Sequence, residues 1–455
     1  MDFRYTDEQL EFKKVCRRFA DEVIRPAAPA HDADESTPWE VIREARRQNL
    51  EGLDYLQRLA TDEDGQLGVI YGEEMHYGCA GTALAISGSA LAAAGLAASG
   101  TPEQIGEWMP KMFGTGDDLR LGAYAVTEPQ AGSDVKGLRT TARRDGDEWV
   151  LNGTKVFITN GGIADVNIVV ATVDPELGHR AQVSFVVPSD APGFSEGKKE
   201  TKLGIRASRT TELIFEDCRI PLDNLLGGMD KLERKLERAR SGESAGKSNA
   251  LATFEITRPL VGAGALGIGQ AAYEWTLAYL DGRTADGYTA AEIIEEGGFS
   301  TSGLPMMQRQ RIQQVLADVA TEMEAARLLV QRGAWMGRAG VPMGGGQGSM
   351  AKLKAGDVTM WAVPALMDLV GPYAQTTECP LEKWMRDAKI YQLFEGTAQV
   401  QRLVISRMQA TEYREYREQL AAGVEIGQDA MREADRADEA GAETKLEHTT
   451  VAAGS

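Results

Sequence analysis

The segment RDAKIYQLFEGTAQVQRLVISR, residues 386–407, contains a break between two helical patterns. Before the break, Ile390 and Phe394 follow the 3.6-residue period of a helix. Gly396 interrupts that period, and Thr397 is well placed to N-cap a second helix. The segment therefore predicts two helical stretches joined by a short irregular link.

One carboxylate, Glu395, lies in this link. At such a joint, a side chain can leave the helix surface and point into a cavity. Beside Phe394, in apolar surroundings, we expect the pKa of Glu395 to rise toward the range that suits a general base. The alternative interpretation is a solvated glutamate at a helix end, because a short motif by itself is only a hypothesis.

Length and composition restrict the class of protein. The 455 residues suffice for two to three subdomains, and 43% of them are hydrophobic, as in a globular protein. A formal net charge of −19 argues against binding to nucleic acid or to anionic membranes. The sequence contains no run of 18 apolar residues, so it predicts no membrane span. The N-terminus has acids where a signal peptide needs bases, so we expect a cytoplasmic protein.

Cysteine and histidine are few and scattered, which argues against a disulfide framework, a metal site or a Ser-His-Asp triad. We therefore predict no metal, reduced thiols, and acid–base chemistry carried by carboxylates. The residues are Cys16, Cys79, Cys218, Cys379, His31, His76, His179 and His448.

Five segments follow from periodicity and composition. Residues 1–122 have helical patterns, 123–222 have short strands and many turns, and 251–418 are again helical. Residues 223–250 are charged and then Ser/Gly-rich, which suggests one exposed helix followed by a flexible piece; we expect a solvated, mobile loop there. Residues 419–455 form an acidic tail that contains no aromatic residue, and we expect this tail to be disordered.

Local patterns refine the first two segments. An apolar stripe runs from Phe12 to Val23, after a helix start at Thr6. Residues 80–100 are crowded with Ala, Gly and Ser, which favours close helix packing, although room for a ligand is an alternative. In the strand region, the pairs Asn152-Gly153 and Asp145-Gly146 predict a hairpin and a turn, and the many short strands suggest a small barrel or sandwich.

Several long motifs resemble those of the acyl-CoA dehydrogenase family, in the same order. They are the segment 386–407, YAVTEPQAGSDV at 124–135, FITNGG at 157–162, KLGIRASRTTELIFEDCRIP at 202–221 and FEITRPLVGAGALG at 254–267. The resemblance covers roughly residues 1–410.

The resemblance implies an α+β fold with an N-terminal helical domain, a middle β-barrel domain and a C-terminal helical bundle. FAD would lie between the β domain and the bundle. The family connection at 223–250 is normally shorter, so this stretch resembles an insertion. Members are commonly homotetramers, dimers of dimers, in which a neighbouring subunit completes the FAD site. They pass electrons to an electron-transfer flavoprotein.

The implied reaction is α,β-desaturation of an acyl-CoA thioester. Glu395 matches the base of the short- and medium-chain members, and its N–H would donate to the thioester oxygen with a ribityl hydroxyl of FAD. Other members place the base on an earlier helix, at the position of Thr257, which cannot do that work. Glu255 is our second choice of base and a substrate contact. Arg258 resembles an arginine that contacts substrate, although a surface or structural role is an equal alternative.

Further matches imply ligand contacts. Gly396 would permit close approach of the substrate, and Ser133 would contact the flavin phosphate or the CoA part of the substrate. The residues that match FAD contacts are Tyr124, Val126, Thr127, Gly132, Ser133, Phe157, Ile158, Thr159, Thr397 and Gln399.

Two family motifs on the neighbour-subunit side of the FAD site are altered. Arg283 lacks the Phe-Gly that normally follows its motif, although Gln310 still resembles the next glutamine. The Gly-rich loop reads Gly371-Pro372-Tyr373-Ala374, in which proline removes a backbone donor. We expect FAD to bind with altered diphosphate contacts. A different partner subunit, or weak FAD binding, remains as an alternative, as do an oxidase of the same fold and a non-catalytic subunit of a mixed oligomer.

Overall fold

The computed structural model describes residues 4–115, 118–241, 249–280 and 306–421, without the side chains of 249–256, 306, 308 and 309. The acidic tail beyond residue 421 and residues 242–248 lie outside the described residues. The N-terminal part is helical: α1 (Asp7–Phe19), a π-turn (Ala20–Ile24), α2 (Arg25–Asp34), α3 (Trp39–Arg47), α4 (Leu53–Thr61), α5 (Gln66–Gly78), α6 (Ala80–Ser87), α7 (Ser89–Ser99) and α8 (Pro102–Phe113).

Helix α1 begins and packs as its sequence predicts. The Thr6 hydroxyl accepts a hydrogen bond from the Gln9 N–H, and the Gln9 side chain accepts one from the Thr6 N–H, which completes a capping box. Phe12 and Phe19 are buried in the N-terminal core, and Val15 and Val23 pack against it. The apolar stripe therefore forms the inner face of this helix.

The small residues of α6 and α7 let these helices touch the β domain. A Cβ added at Gly81 would lie 3.0 Å from the backbone of Ile205, and one at Gly95 would lie 2.7 Å from the ring of Tyr124. Close packing, as predicted, is confirmed at these positions. Among the described residues, Ala80–Ser99 alone is long and apolar enough to cross a membrane, but it is mostly buried in the protein, which makes a span weakly supported.

The middle part is one curled seven-stranded sheet. Along the sheet the order is β1-β4-β2-β3-β7-β6, and β5 pairs with β4 on a side branch. The Asp145-Gly146 turn is confirmed, since Asp145 pairs with Glu148 where β2 and β3 meet. The strands are β1 (Gly122–Ala125), β2 (Thr141–Asp145), β3 (Glu148–Thr159), β4 (Val166–Thr172), β5 (Gln182–Pro188), β6 (Phe194–Lys199) and β7 (Thr210–Pro221).

The hairpin predicted at Asn152-Gly153 is wrong. β3 runs through this pair without turning, and its register with β7 shifts between Leu151 and Gly153. Gly153 has φ +149°, and a Cβ there would lie 2.5 Å from the Thr140 hydroxyl. Glycine is therefore needed here for a β-bulge and for a close contact between strands, and not for a turn.

In the first half of residues 223–250, the suggested helix is confirmed, but the expectation of a solvated, mobile loop is wrong. Residues Gly228–Arg240 form helix α9, whose Leu232 and Leu236 pack against the core of the β domain. Arg180 donates to the Ala239 carbonyl at 2.8 Å, which fixes the end of the helix to the sheet. The charged residues cover only the outer face, so the pattern is that of an amphipathic helix.

The C-terminal bundle holds the largest hydrophobic core. It is joined to the β domain close to the segment 386–407: the Ile205 N–H donates to Oδ1 of Asp387 at 2.6 Å, and Gly204 lies against the Arg386 backbone. These two contacts fix the segment 386–407 relative to the sheet. The helices are α10 (Asn249–Leu280), α11 (Met306–Arg338), α12 (Gln347–Val370), α13 (Pro380–Ala388) and α14 (Ala398–Ala421).

Candidate active site

The predicted break between two helices is confirmed. α13 ends at Ala388, and a 3₁₀ turn follows before α14 begins. Glu395 and Gly396 between them have φ +52° and +90°, the left-handed region. The Val400 N–H donates to the Thr397 hydroxyl at 3.1 Å, so Thr397 caps α14 as predicted. Glu395 therefore lies in the irregular link between the two helices and belongs to neither.

Among the described residues, the carboxyl group of Glu395 has one direct hydrogen-bond donor and two nearby cations. The Thr257 hydroxyl donates to its Oε2 at 2.9 Å. The side chain is only half-buried, yet desolvation by the surrounding protein dominates and raises the pKa of Glu395 to about 7. Thr257, Arg258 and Lys352 each oppose that rise in pKa. The predicted direction of the shift is confirmed, and a fully solvated glutamate is excluded.

The backbone of the joint is held by two side chains that the sequence analysis did not single out. The Lys352 ammonium donates to the Gly396 carbonyl at 2.8 Å, and Gln401 donates to the carbonyls of Glu395 and Gly396 at 3.1 Å each. In the described part of the chain, the Glu395 N–H has no acceptor. Nothing in the sequence around Lys352, which reads MAKLKAG at 350–356, distinguishes it from the neighbouring Lys354.

Arg258 is buried beside this group, so the interpretation as a surface arginine is wrong. Its guanidinium donates to the Ser349 hydroxyl at 3.0 Å. Burial lowers the pKa of Lys352 to about 8, with Arg258 acting in the same direction and Glu395 opposing it. Glu395 therefore lies in a partly desolvated environment with two cations near enough to favour its ionised form.

On the β domain, Phe157 presents an uncovered aromatic ring. Its side chain is 64% exposed and its φ is +57°, an unusual conformation for a bulky residue. The neighbouring Val156 N–H donates to the Thr127 carbonyl at 2.9 Å, so strand β3 and the loop after β1 lie side by side. Thr127 and Thr159 are both partly exposed next to the ring.

A buried ion pair fixes this loop to β3. Glu128 and Lys155 are both buried, and Lys155 donates to Oε1 of Glu128 at 2.7 Å and to the Val126 carbonyl at 2.9 Å. Glu128 also accepts from Thr140 and from the Arg139 N–H. Although burial alone would raise it, Lys155 and these donors hold the pKa of Glu128 below its usual value. The loop that carries Gly132 and Ser133 is therefore rigid at its base.

The remaining predicted residues fall into three groups. The side chains of Tyr124, Val126 and Ile158 lie in the protein core, so only their backbone atoms remain for a ligand at the surface. Gly132, Ser133, Gln310 and Gln399 are exposed. Arg283 and the Glu255 side chain lie outside the described residues.

The altered loop at Gly371 has a defined structure. Gly371 has φ +83°, and Pro372–Gln375 form a 3₁₀ turn. The Tyr373 ring stacks on Tyr279 at 5.8 Å between centroids, and Tyr279 stacks on Trp275 at 5.3 Å. An aromatic stack thus supports the loop in which the resemblance led us to expect glycines.

These residues fit a flavin. A planar tricyclic ring needs an apolar platform with polar groups at its edge, and the Phe157 ring with Thr127 and Thr159 supplies both. Thr397, at the N-terminus of α14, adds a helix end that favours a polar or anionic group. In the described ranges, no group of three His, Cys, Asp or Glu side chains could hold a metal ion.

Comparison with known families gives three matches in chain order. The N-terminal domain of acyl-CoA dehydrogenase matches residues 6–115, its middle domain matches 123–218, and its C-terminal domain matches 300–409. All three domain models are thus present in one chain, in the order that the motifs predict.

Whole-length relatives agree. Acryloyl-CoA reductase (NADH) of Anaerotignum propionicum is 34% identical over 90% of this chain and 95% of its own. The short-chain-specific acyl-CoA dehydrogenase of Clostridium acetobutylicum is 34% identical over 89% of this chain and 99% of its own length. The structure of butyryl-CoA dehydrogenase from Megasphaera elsdenii has 32% identity and a TM-score of 0.74, and the match covers 89% of this chain and 99% of that chain. The chain therefore belongs to the acyl-CoA dehydrogenase family and is an FAD-dependent oxidoreductase of that family.

Proposed function

We propose that this protein catalyses α,β-desaturation of an acyl-CoA thioester, with Glu395 as the base that removes the α-proton. One observation carries the proposal: the Glu395 carboxyl lies at a helix joint, holds a hydrogen bond from Thr257 at 2.9 Å, and has its pKa raised to about 7. A base with a pKa near the working pH combines a useful deprotonated fraction with strong proton affinity.

The α-proton of a thioester is weakly acidic, so the developing enolate oxygen needs hydrogen bonds that strengthen in the transition state. We assign one donor to the Glu395 N–H, which has no acceptor within the described ranges. The same residue thus supplies the base and an oxyanion donor. FAD, when bound, supplies the acceptor for the β-hydride.

Substrate contacts follow the same assignment. Gly396 lets the acyl chain approach the backbone, and Arg258 contributes positive charge beside the base from a fixed position on α10. The exposed Ser133 binds the CoA part or the flavin phosphate. Glu255 remains the second choice of base. The FAD contacts assigned to Phe157, Thr159, Thr397, Gln399 and the other matched residues are proposals of the same kind.

For the electron acceptor we propose an electron-transfer flavoprotein. In support, a chain from a structure of the electron transferring flavoprotein of Acidaminococcus fermentans has 33% identity and a TM-score of 0.76, covering 90% of this chain. A prolyl acyl carrier protein oxidase also has this fold, with 26% identity and a TM-score of 0.74, so oxygen is the rival acceptor.

A homotetramer is proposed from the family resemblance and an exposed groove on the bundle. The groove, a cavity of about 730 Å³, is lined by α11, α12 and α14. Trp361 on its wall is 45% exposed, and aromatic residues are enriched at subunit interfaces. A cytoplasmic location is proposed because Cys16, Cys79, Cys218 and Cys379 are all free and buried.

The test is anaerobic mixing of the purified holoenzyme with acyl-CoAs of graded length and branching, while flavin absorbance is followed. Bleaching by at least one saturated acyl-CoA is expected, with re-oxidation by an electron-transfer flavoprotein. Peroxide formation in air at a comparable rate would favour the oxidase. A colourless protein that stays apo in excess FAD would contradict the proposal and favour a non-catalytic subunit.

A further inference from the structure

We infer that Lys352 is a positioning residue, which acts with Gln401 to hold the Glu395–Gly396 backbone in the conformation that presents both the base and its N–H to the substrate. This inference rests on the proposed role of Glu395. Lys352 lies on α12 and reaches the joint at the Gly396 carbonyl.

The joint has a backbone conformation that needs support. Glu395 has φ +52°, which is uncommon for a residue with a side chain and persists only where surrounding contacts impose it. Gly396 follows at φ +90°, and a Cβ there would lie 2.3 Å from Nε2 of Gln401. Two consecutive left-handed residues are thus packed tightly against the side chain that holds them.

Three hydrogen bonds provide this support. Lys352 donates to the Gly396 carbonyl at 2.8 Å, and Gln401 donates to the carbonyls of Glu395 and Gly396 at 3.1 Å. The two carbonyls belong to the peptide groups that follow the Glu395 Cα, so these bonds fix the backbone on the C-terminal side of the base. In that way they hold the left-handed turn at Glu395 and Gly396, on which the direction of the Glu395 side chain depends.

Burying the Lys352 ammonium group costs free energy, which argues that this residue has a functional role. Its side chain is only 1% exposed, and in the described part of the chain it forms no ion pair within 4.0 Å. A buried ammonium that is bonded to a neutral carbonyl is unfavourable unless it serves a specific purpose, and such groups are concentrated at functional sites. A neutral donor would fix the carbonyl equally well, so the charge itself requires explanation.

The charge acts on the base. The positive charge of Lys352 favours the ionised form of Glu395, and Arg258 on α10 does the same. The other charged group that influences Lys352 is Asp357, which lies further along α12. Lys352 therefore has two effects: it orients the joint, and it limits the rise in the pKa of Glu395.

The experiment compares Lys352→Met with Lys352→Arg and with Lys14→Met in the FAD-loaded enzyme. Lys14 is the control, because it is an exposed lysine on α1 that pairs with Glu11 at 2.7 Å, away from the joint. For Lys352→Met we expect kcat to fall by about 100-fold with little change in KM, as for a catalytic group misplaced by about 1 Å. The acid limb of the kcat/KM profile should move to higher pH, because a stabilising positive charge is lost.

The other variants separate charge from shape. Lys352→Arg keeps the charge, so its acid limb should stay at the wild-type pH, and Lys14→Met should resemble the wild type in all readouts. Wild-type kcat in Lys352→Met, or a loss of kcat with an unmoved acid limb, would overturn the inference. If Lys352→Met fails to hold FAD, Gln401→Met is decisive: we expect a lower kcat with an unmoved limb, and wild-type kcat would overturn the inference. Full activity in Glu395→Gln would instead refute the proposed base.

Discussion

The Thr257 hydroxyl donates a hydrogen bond to Oε2 of Glu395 at 2.9 Å, across 138 residues of sequence. The family resemblance implies that members with an earlier base carry its carboxylate at the position of Thr257. Here that position carries a donor that stabilises the ionised form of Glu395, the proposed base. The two positions thus face each other across one site, and their chemistry is complementary.

The Thr257–Glu395 hydrogen bond predicts a shift in pH dependence. The pKa of Glu395 is raised to about 7 by burial, and the bond from Thr257 opposes that rise. Removing the donor raises the pKa further, so the base is protonated over a wider range and the acid limb of kcat/KM moves to higher pH. In Thr257→Val we expect a move of about one pH unit, since a hydrogen bond to a charged group contributes about 1.5–3 kcal/mol.

The control for that variant is Thr276→Val on the same helix. Thr276 is also buried, and its hydroxyl donates to the Ala272 carbonyl at 2.8 Å. The variant Thr276→Val should leave the acid limb of the kcat/KM profile at the wild-type pH. An unmoved limb in Thr257→Val, with normal FAD content, would mean that the bond does not influence the ionisation of the base.

Phe157→Ala tests the flavin platform. Because its ring is largely exposed, we expect the free energy of unfolding of the apoprotein to change little. FAD affinity should weaken by about 0.5–1.5 kcal/mol, the usual contribution of an aromatic pair. Fluorescence titration of the apoprotein with FAD measures this change. Leu203→Ala, another exposed apolar residue, should leave FAD affinity unaltered; equal losses in both variants would contradict the assignment.

The buried pair Lys155–Glu128 predicts a large loss of stability from a single substitution. In Lys155→Met, the Glu128 carboxylate stays buried without its cation, which costs about 3–5 kcal/mol. Denaturant unfolding of the holoenzyme measures it. The double variant Lys155→Met, Glu128→Gln should recover part of that loss, because the uncompensated charge is gone. A double variant that is no more stable than the single one would show that charge burial is not the cause.

Trp361→Glu tests the proposed assembly. A carboxylate in the groove formed by α11, α12 and α14 should weaken any subunit interface that covers it. Sedimentation velocity should show smaller species than for the wild type. Trp39→Glu, on α3 and 36% exposed, is the matched control and should keep the native size. An unchanged size for Trp361→Glu would place the interface elsewhere.

Sequence patterns predicted the parts of the site that depend on neighbouring residues. The helix break, the cap at Thr397 and the raised pKa of Glu395 all follow from a few adjacent side chains. The contacts of the base did not follow, because Thr257 and Lys352 approach it from α10 and α12 through tertiary packing. Nothing local identifies the partner of such a residue.

The two errors in the fold have a similar origin. Asn152-Gly153 favours a turn locally, but pairing of β3 with β7 on both sides of the glycine overrides that preference. Gly228–Arg240 is rich in charge, and its apolar residues are few enough to suggest a solvated segment; contact with the sheet gives them a partner. In both cases, contacts with residues distant in the sequence selected one of two structures that the local sequence allows.

The central claim is that the Glu395 carboxylate removes the α-proton, and Glu395→Gln tests it most directly. The variant keeps the shape and the Glu395 N–H, so FAD should bind as in the wild type, and Glu415→Gln on the exposed face of α14 serves as the control. In anaerobic rapid mixing with the best acyl-CoA, we expect the rate of flavin reduction to fall by about 10²- to 10⁴-fold in Glu395→Gln alone. Flavin reduction at a near-normal rate in that variant would contradict the account and move attention to Glu255.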